Sequence, residues 1–287
     1  MTAAASIETR EEKIESIGGT MIHVRSWRPE TAPRGVVVIC HGVLSHSGYY
    51  GWAAEQLVAA GYAVYALDLR GRGLSDGERF FIHAIDEYLG DVGATITLAK
   101  SREPRLPVFL LGHSAGGVIS TVYALDHQHD LAGLVCESFA FQVYAPDLAV
   151  AALKGLEHII PHARVLKLPI DGFSRDKDAV AAMKGDPLLA NEAQPIGTVA
   201  ELARAGDRLR KEFPHFTMPV MILHGTADIV TKPGGSQQFF DSAGSTDKTL
   251  KLYEGHFHDL LNDVDKELVM ADITGWIVAR TKDAVAH

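Results

Sequence analysis

Ser114 lies in the run Gly112-His113-Ser114-Ala115-Gly116. A serine hydroxyl is a weak nucleophile at neutral pH. It becomes useful when a base takes its proton, a third group orients that base, and fixed donors stabilise the oxyanion that its attack creates. Glycines two residues to either side allow a sharp turn that leaves the serine oxygen exposed. The chain carries candidates for each helper. His256 and His258 both follow Tyr253-Glu254-Gly255, and either could serve as the base. Asp228, reached through His224-Gly225-Thr226-Ala227, is the preferred orienting acid. Glu137 is its rival. Asp259 ranks below both, because directly adjacent residues point apart and Asp259 adjoins His258. Ala115 N–H follows the nucleophile and supplies one oxyanion donor. The tight His41-Gly42 turn makes Val43 N–H the candidate for the second. His41, Gly42, His113 and Glu137 complete the set as candidate substrate contacts, with packing or hydrogen bonding the leading role for the two histidines.

These residues must be held at the ends of strands. Pro107 to Leu111 reads as a buried strand before the serine, and Ala115 to about Leu125 as an apolar helix after it. Gly35 to Cys40 is a continuous β-branched run, as a central parallel strand requires, and it ends at His41-Gly42. Tyr62–Leu67, Leu131–Cys136, Pro219–Leu223 and Lys248–Tyr253 read as further strands. Helical patterns at Tyr50–Ala60, Ile85–Ala99, Gly234–Ala243 and Leu268–Thr281 alternate with them. Lys13 to Trp27 suits a hairpin turning at Gly18-Gly19, and residues 1–11 are expected to be weakly held. This rhythm predicts an α/β fold with a mainly parallel sheet and helices on both faces. Ligands in such sheets bind beyond the carboxyl ends of the strands, where His41-Gly42, Ser114 and Glu137 all fall.

The rhythm breaks from about Phe139 to Phe216. No strong strand is expected there, only helices at Leu148–Ile160, Asp176–Lys184 and Ile196–Phe213. The predicted organisation is therefore a first core part (1–138), a helical cap or lid (139–216) and a second core part (217–287).

Composition limits the function. Of the 287 residues, 47% are hydrophobic and 22% charged, which suits one large domain with an insertion. A formal charge of −9 argues against nucleic acid as a partner, since phosphate binding needs a basic face. Cys40 and Cys136 sit in apolar runs and read as small core residues, with no metal-ligand spacing. The first 13 residues lack the apolar segment of a signal peptide. No apolar run approaches the roughly 18 residues of a membrane span. A cytoplasmic protein without cofactor or metal is expected.

Taken together, the order Ser114, Asp228, His258 and the motifs around it resemble the α/β-hydrolase superfamily, in its monoacylglycerol lipase and lysophospholipase-like branch, grouped with serine aminopeptidase-type hydrolases. His41-Gly42 with His46-Ser47-Gly48-x-Tyr50 is similar to that branch's oxyanion segment. Asp68-x-x-Gly71-Arg72-Gly73-x-Ser75-x-Gly77-x-Arg79 is similar to its Gly-His-Gly-x-Ser loop. Pro107 to Gly117 resembles its nucleophile turn, and His224-Gly225-x-x-Asp228 its acid segment. Tyr253-Glu254-Gly255-x-x-His258 resembles its histidine segment, which favours His258 over His256. Four departures stand out: Arg72 where the branch has His, Val43-Leu44-Ser45 in the oxyanion loop, Ala115 for Met, and Glu137 where a small or neutral residue is usual.

The resemblance implies an eight-stranded sheet, a helical cap before the acid strand, and hydrolysis of a small or lipid-like ester through an acyl-enzyme on Ser114. The implied partner is a small-molecule ester. Apolar residues in Leu148–Ile160 add transient contact of the cap with a membrane or lipid surface, and a homodimer is a further expectation. The rival classes are a peptidase or amidase with the same triad, for which Glu137 would anchor an amine, and a non-hydrolytic member (perhydrolase, lyase or ligand receptor).

Overall fold

The computed structural model describes residues 7–144 and 147–284. Its first two strands, β1 (Ile7–Glu15) and β2 (Met21–Pro29), form an antiparallel hairpin across Gly18-Gly19, with Glu15 opposite Met21. The weak hold expected over residues 1–11 therefore fails from Ile7 onward, while residues 1–6 lie outside the described residues. The charged run misled because an edge strand needs ladder hydrogen bonds more than apolar side chains. Glu11 and Glu12 are instead paired with Arg25 and Arg102.

The core follows in alternation. β3 (Gly35–Cys40), α1 (Gly51–Ala59), β4 (Tyr62–Leu67), α2 (Ile85–Arg102), β5 (Val108–His113), α3 (Ala115–Asp126) and β6 (Gly133–Glu137) come first. The chain then leaves the sheet through α4 (Asp147–Leu156), β7 (Arg164–Leu166), α5 (Lys177–Gly185), β8 (Gln194–Pro195) and α6 (Ile196–Glu212). It returns as β9 (Val220–Gly225), α7 (Pro233–Ser242), β10 (Lys248–Tyr253) and α8 (Lys266–Ala284).

The main sheet has eight strands in the order β1-β2-β4-β3-β5-β6-β9-β10, and β2 alone runs against the others. β3, β4, β5, β6 and β9 are buried along their whole length, which explains their continuous apolar sequences. One face packs Val36, Val38, Leu110 and Leu134 against Val92 and Ile96 of α2 and Val118 and Val122 of α3. The other packs Val37, Ile39, Phe109 and Val135 against Leu57 of α1 and Ile273, Trp276 and Ile277 of α8. Helices thus cover both faces, as the sequence rhythm requires.

The excursion between β6 and β9 carries a separate two-stranded sheet, β7 with β8. These strands have three and two residues, too short to show a period-2 pattern in the sequence. α6 is not wholly outside the core: Ala205 and Leu209 join the α2–α3 face.

The turn from β5 into α3 is tightly built. A Cβ on Gly112 would stand 2.6 Å from Gly116 O and from Ser120 Oγ; on Gly116 it would meet Cys40 O at 2.3 Å and His41 O at 2.4 Å. Helix α3 can cross β3 and β5 this closely only with hydrogen at both positions. Gly116→Ala must push backbone against backbone, and is expected to destabilise the fold by about 3 kcal/mol, the upper part of the usual overpacking range. A fall in the urea midpoint at unchanged slope would register it.

Candidate active site

The three central strands deliver their C-terminal residues to one edge of the sheet. β5 ends at His113, and Ser114 takes φ 56° and ψ −120° before α3 begins. A non-glycine residue there is strained by about 1–3 kcal/mol and persists only when its surroundings fix it. Ser114 N–H donates to Glu137 O (2.8 Å), and Ser114 O accepts from Gly117 N–H (2.9 Å) and Ala140 N–H (3.3 Å). These bonds tie the turn to β6 and the residues beyond it.

His258, past the end of β10, places Nε2 2.9 Å from Ser114 Oγ and Nδ1 2.7 Å from Asp228 Oδ2. With Asp228 ionised, Nδ1–H donates to the carboxylate and Nε2 is free to accept the serine proton. Asp228 reaches this place through the loop after β9, and no other carboxylate bonds the His258 ring among the described residues. Burial alone would raise the Asp228 carboxyl. Hydrogen bonds from His224 and His258 outweigh it and hold the group far below the ordinary carboxylate range. His224 Nε2 lies 3.0 Å from Asp228 Oδ2, and its Nδ1 accepts from Ser236 Oγ at 2.7 Å. Thr231 Oγ1 donates to Oδ2 (2.8 Å), while Val230 and Thr231 N–H donate to Oδ1 (2.7 and 2.9 Å). A buried carboxylate with this many donors stays charged and cannot swing.

Val43 and Ala115 also stand beside the serine. A Cβ on Gly42 would touch Ser114 Cβ at 2.8 Å and Ala115 N at 3.4 Å, so the His41-Gly42 turn lies directly on the serine turn. Neither Val43 N–H nor Ala115 N–H has a protein acceptor among the described residues. Two unspent N–H donors thus lie on the turns that meet at Ser114.

The remaining candidates are placed differently. His41 Nε2 accepts Leu69 N–H (3.0 Å), so Nδ1–H donates to Gly42 O (2.6 Å); burial lowers this imidazole to about 4 and keeps it neutral. His113 is buried between Tyr50 OH (Nδ1, 3.2 Å) and the carbonyl of His258 (Nε2, 3.4 Å). Burial first, then the neighbouring His258, push it well below the ordinary range. Both rings therefore spend their nitrogens on protein groups and brace the loops around Ser114, rather than facing a substrate. His256 turns Nδ1 to Glu254 O (3.2 Å) and does not meet the serine.

Glu137 does not reach His258. Its Oε1 accepts Leu261 N–H (3.2 Å), and its Oε2 is buried without a partner. Burial, then the Asp259 carboxylate, push Glu137 well above its usual range, and burial raises Asp259 to about 6. Both neighbours thus hold their protons to higher pH than ordinary carboxyls.

Some contributors gave no signal as single residues. Phe173 stands edge-on to the His258 ring (centroids 4.9 Å apart), and its carbonyl accepts Asp259 N–H (2.7 Å). Asp263 binds Arg175 N–H (2.7 Å), Arg175 Nε (2.8 Å) and Phe257 N–H (3.0 Å), fastening the residues after β7 to the histidine loop. Tyr144 OH donates to Asp228 O (3.0 Å). His224 could have been suspected from its place four residues before Asp228, where strand and loop fold back on each other.

Residues 31–265 match the family described as serine aminopeptidase, S33. The chain belongs to the S33 family. Its relatives include the monoacylglycerol lipase of Mycolicibacterium smegmatis, 34% identical over 94% of this chain and 97% of that protein. The human monoglyceride lipase is 31% identical over 93% and 89% of the two chains. Among solved structures, the monoacylglycerol lipase of Paleococcus ferrophilus superposes with a TM-score of 0.81 at 30% identity, covering 95% and 99%. The fold expected from the resemblance, an eight-stranded α/β-hydrolase sheet, is the fold of this S33 protein.

The Glu137 environment has a pH signature. The unfolded chain ionises Glu137 near pH 4.3, while the folded protein holds its proton to higher pH, so folded binds more protons than unfolded and stability falls as pH rises. Glu137→Gln removes this dependence and keeps the acceptor for Leu261 N–H. Its stability relative to wild type should therefore rise between pH 5 and pH 8. Urea unfolding at the two values would give equal differences if Glu137 were an ordinary carboxylate.

Proposed function

We infer that the protein is a serine carboxylester hydrolase for monoacylglycerol-like esters, working through an acyl-enzyme on Ser114. The observation that carries this reading is the unbroken relay Ser114 Oγ–His258–Asp228, at 2.9 and 2.7 Å, with two unspent N–H donors at the serine. Ser114 attacks the ester carbonyl as His258 Nε2 takes its proton. Asp228 holds the imidazole in the tautomer that can do so and stabilises the imidazolium. Val43 and Ala115 N–H receive the oxyanion. His258 then protonates the leaving alcohol, and in the second half it draws a proton from water attacking the acyl group.

The relatives named above as monoacylglycerol lipases support an ester with one acyl chain and a polyol leaving group. A cavity of about 190 Å³ is lined by Leu44, the residue after the proposed oxyanion donor, with Leu168, Ile170, Met183 and Leu189 on one hand and Lys167, Lys184, Asp186 and Glu192 on the other, a mixed lining that suits an ester with both an acyl and a polar part. The peptidase reading needs a carboxylate facing the substrate amine; Glu137, fully buried, bonded to Leu261 N–H and with its carboxyl pushed above the usual range by burial, is a poor anchor.

Residues 139–216 then act as the cap over this site, and Ser114 beneath is only 2% exposed. On the cap surface Leu156, Ile159, Ile160 and Val165 are exposed together with Tyr144, and Ile159 is 77% exposed. No helix among the described residues is long and apolar enough to cross a membrane. The apolar residues that follow α4 support transient docking on a lipid surface, from which a monoacylglycerol would be drawn. The two buried, unpaired cysteines fit the cytoplasm.

Ser114→Ala is expected to lower turnover of monoacylglycerols and p-nitrophenyl esters by about 10⁴-fold or more, with an unchanged circular-dichroism spectrum. Fluorophosphonate should label the wild type and not the variant. Retained turnover, or wild-type cleavage of aminoacyl-nitroanilides in preference to esters, would reject this reading. For the cap, Leu156→Asp/Ile159→Asp should abolish co-sedimentation with phosphatidylcholine vesicles containing monoolein while leaving p-nitrophenyl acetate turnover within about twofold. A loss of dimer on gel filtration with the same variant would assign the face to self-association.

A further inference from the structure

Arg72 is the residue that departs from the Gly-His-Gly-x-Ser loop, and it is only 2% exposed. An isolated buried guanidinium is very costly, so its partners must be fixed. All of its nitrogens are engaged: Nε with Tyr88 OH (3.2 Å), Nη1 with Glu192 Oε1, and Nη2 with Gln194 Oε1 (2.6 Å). Tyr88 belongs to α2, whereas Glu192 and Gln194 come from the excursion between β6 and β9. Glu192 Oε1 receives a second and a third contact, from Gln194 Nε2 (2.8 Å) and from the backbone N–H of Leu44 (2.9 Å).

Leu44 directly follows Val43, and it holds the unusual φ of 52°. A branched-chain residue in that region stays there only if something outside the loop fixes it. Both ends of Leu44 are fixed by the excursion: its N–H by Glu192, and its side chain by Phe173, Met183 and Leu189. The same loop is grasped a second time. His46 Nε2 and Tyr49 OH both bond Asp186 Oδ2, each at 2.8 Å.

We propose that Glu192 is a positioning residue for the oxyanion hole, fixing Leu44 N–H and thereby the aim of the Val43 N–H one residue earlier. Arg72 fixes Glu192 in turn. The oxyanion hole is complete only while residues 186–194 are docked, so seating the cap and arming the site are one event. This rests on the ester-hydrolase reading and on Val43 as a donor. It gives the Arg72 departure a role: the arginine holds the carboxylate that shapes the loop.

Removing either charge alone would leave the other buried, so the test compares two charge-free pairs. Arg72→Met/Glu192→Gln keeps an acceptor for Leu44 N–H; Arg72→Met/Glu192→Met does not. With p-nitrophenyl acetate, too small to draw binding from the cap, the Met/Met protein should show kcat about tenfold or more below the Met/Gln protein, with KM within about twofold. Inhibition by an alkyl trifluoromethyl ketone, whose adduct carries the oxyanion, should weaken by the same factor. Glu192→Asp retains Arg72's counter-charge but draws it back by one methylene, and should lower kcat alone, which keeps the test open if the Met/Met protein does not fold. Equal kcat in the two pairs, or a loss confined to KM, overturns the proposal. Absence of Ser114-dependent turnover in the wild type would instead overturn the ester-hydrolase reading itself, and this proposal with it.

Discussion

The constraint on which everything else depends is the close crossing of α3 over β3 and β5 at Ser114. Gly116 lies against the carbonyls of Cys40 and His41, and Gly112 against Gly116 and Ser120. This contact forces the chain through a strained turn, and the strain aims the serine oxygen away from the sheet. It also brings the His41-Gly42 turn onto the serine, with a Cβ on Gly42 only 2.8 Å from Ser114 Cβ. The serine turn and the His41-Gly42 turn against it are thus products of one packing event. The order of β3 and β5 as neighbours makes that event available.

Around this turn the protein keeps an unusual number of titratable groups out of water, and each is treated differently. Asp228 is flooded with donors and stays charged. Glu137 and Asp259 share a dry space and retain protons to higher pH. His41 and His113 are held neutral and spend both nitrogens as braces. Among the described residues, only His258 has a ring nitrogen bonded to Ser114. Low dielectric makes each of these assignments sharp, because an unpaired charge there would be costly. His258 bonds Ser114, while His41 and His113 spend their ring nitrogens on other protein groups.

The excursion between β6 and β9 is joined to this machinery rather than laid over it. Phe173 abuts the His258 ring, Arg175 grips Asp263 in the histidine loop, and Glu192 and Asp186 grip the loop after β3. Its outer side carries exposed isoleucines and leucine, its inner side a small apolar core with Leu44 and Val230. The polar grips give this excursion a defined seat, which apolar packing alone would not.

Much of this was legible in the residues themselves. The β-branched runs gave the parallel strands because strands buried on both faces must be apolar throughout. The glycines around Ser114 gave the turn because their role is steric and local. Asp228 and His258 could be placed because each closes a strand, and strand ends gather at one edge. Residues 7–11 were misjudged because edge pairing depends on backbone bonds that composition does not record. The partners of the His113 ring, the hold of Leu261 N–H on Glu137 and the grip of Glu192 on Leu44 were beyond the sequence. They depend on distances of a few ångströms between segments up to 148 residues apart, and on which groups burial strips of water. Ser114 and its candidate helpers were thus written in the order of the residues. Which of those helpers stays charged, which stays neutral, and what holds the oxyanion loop in place were settled only when the chain closed around them.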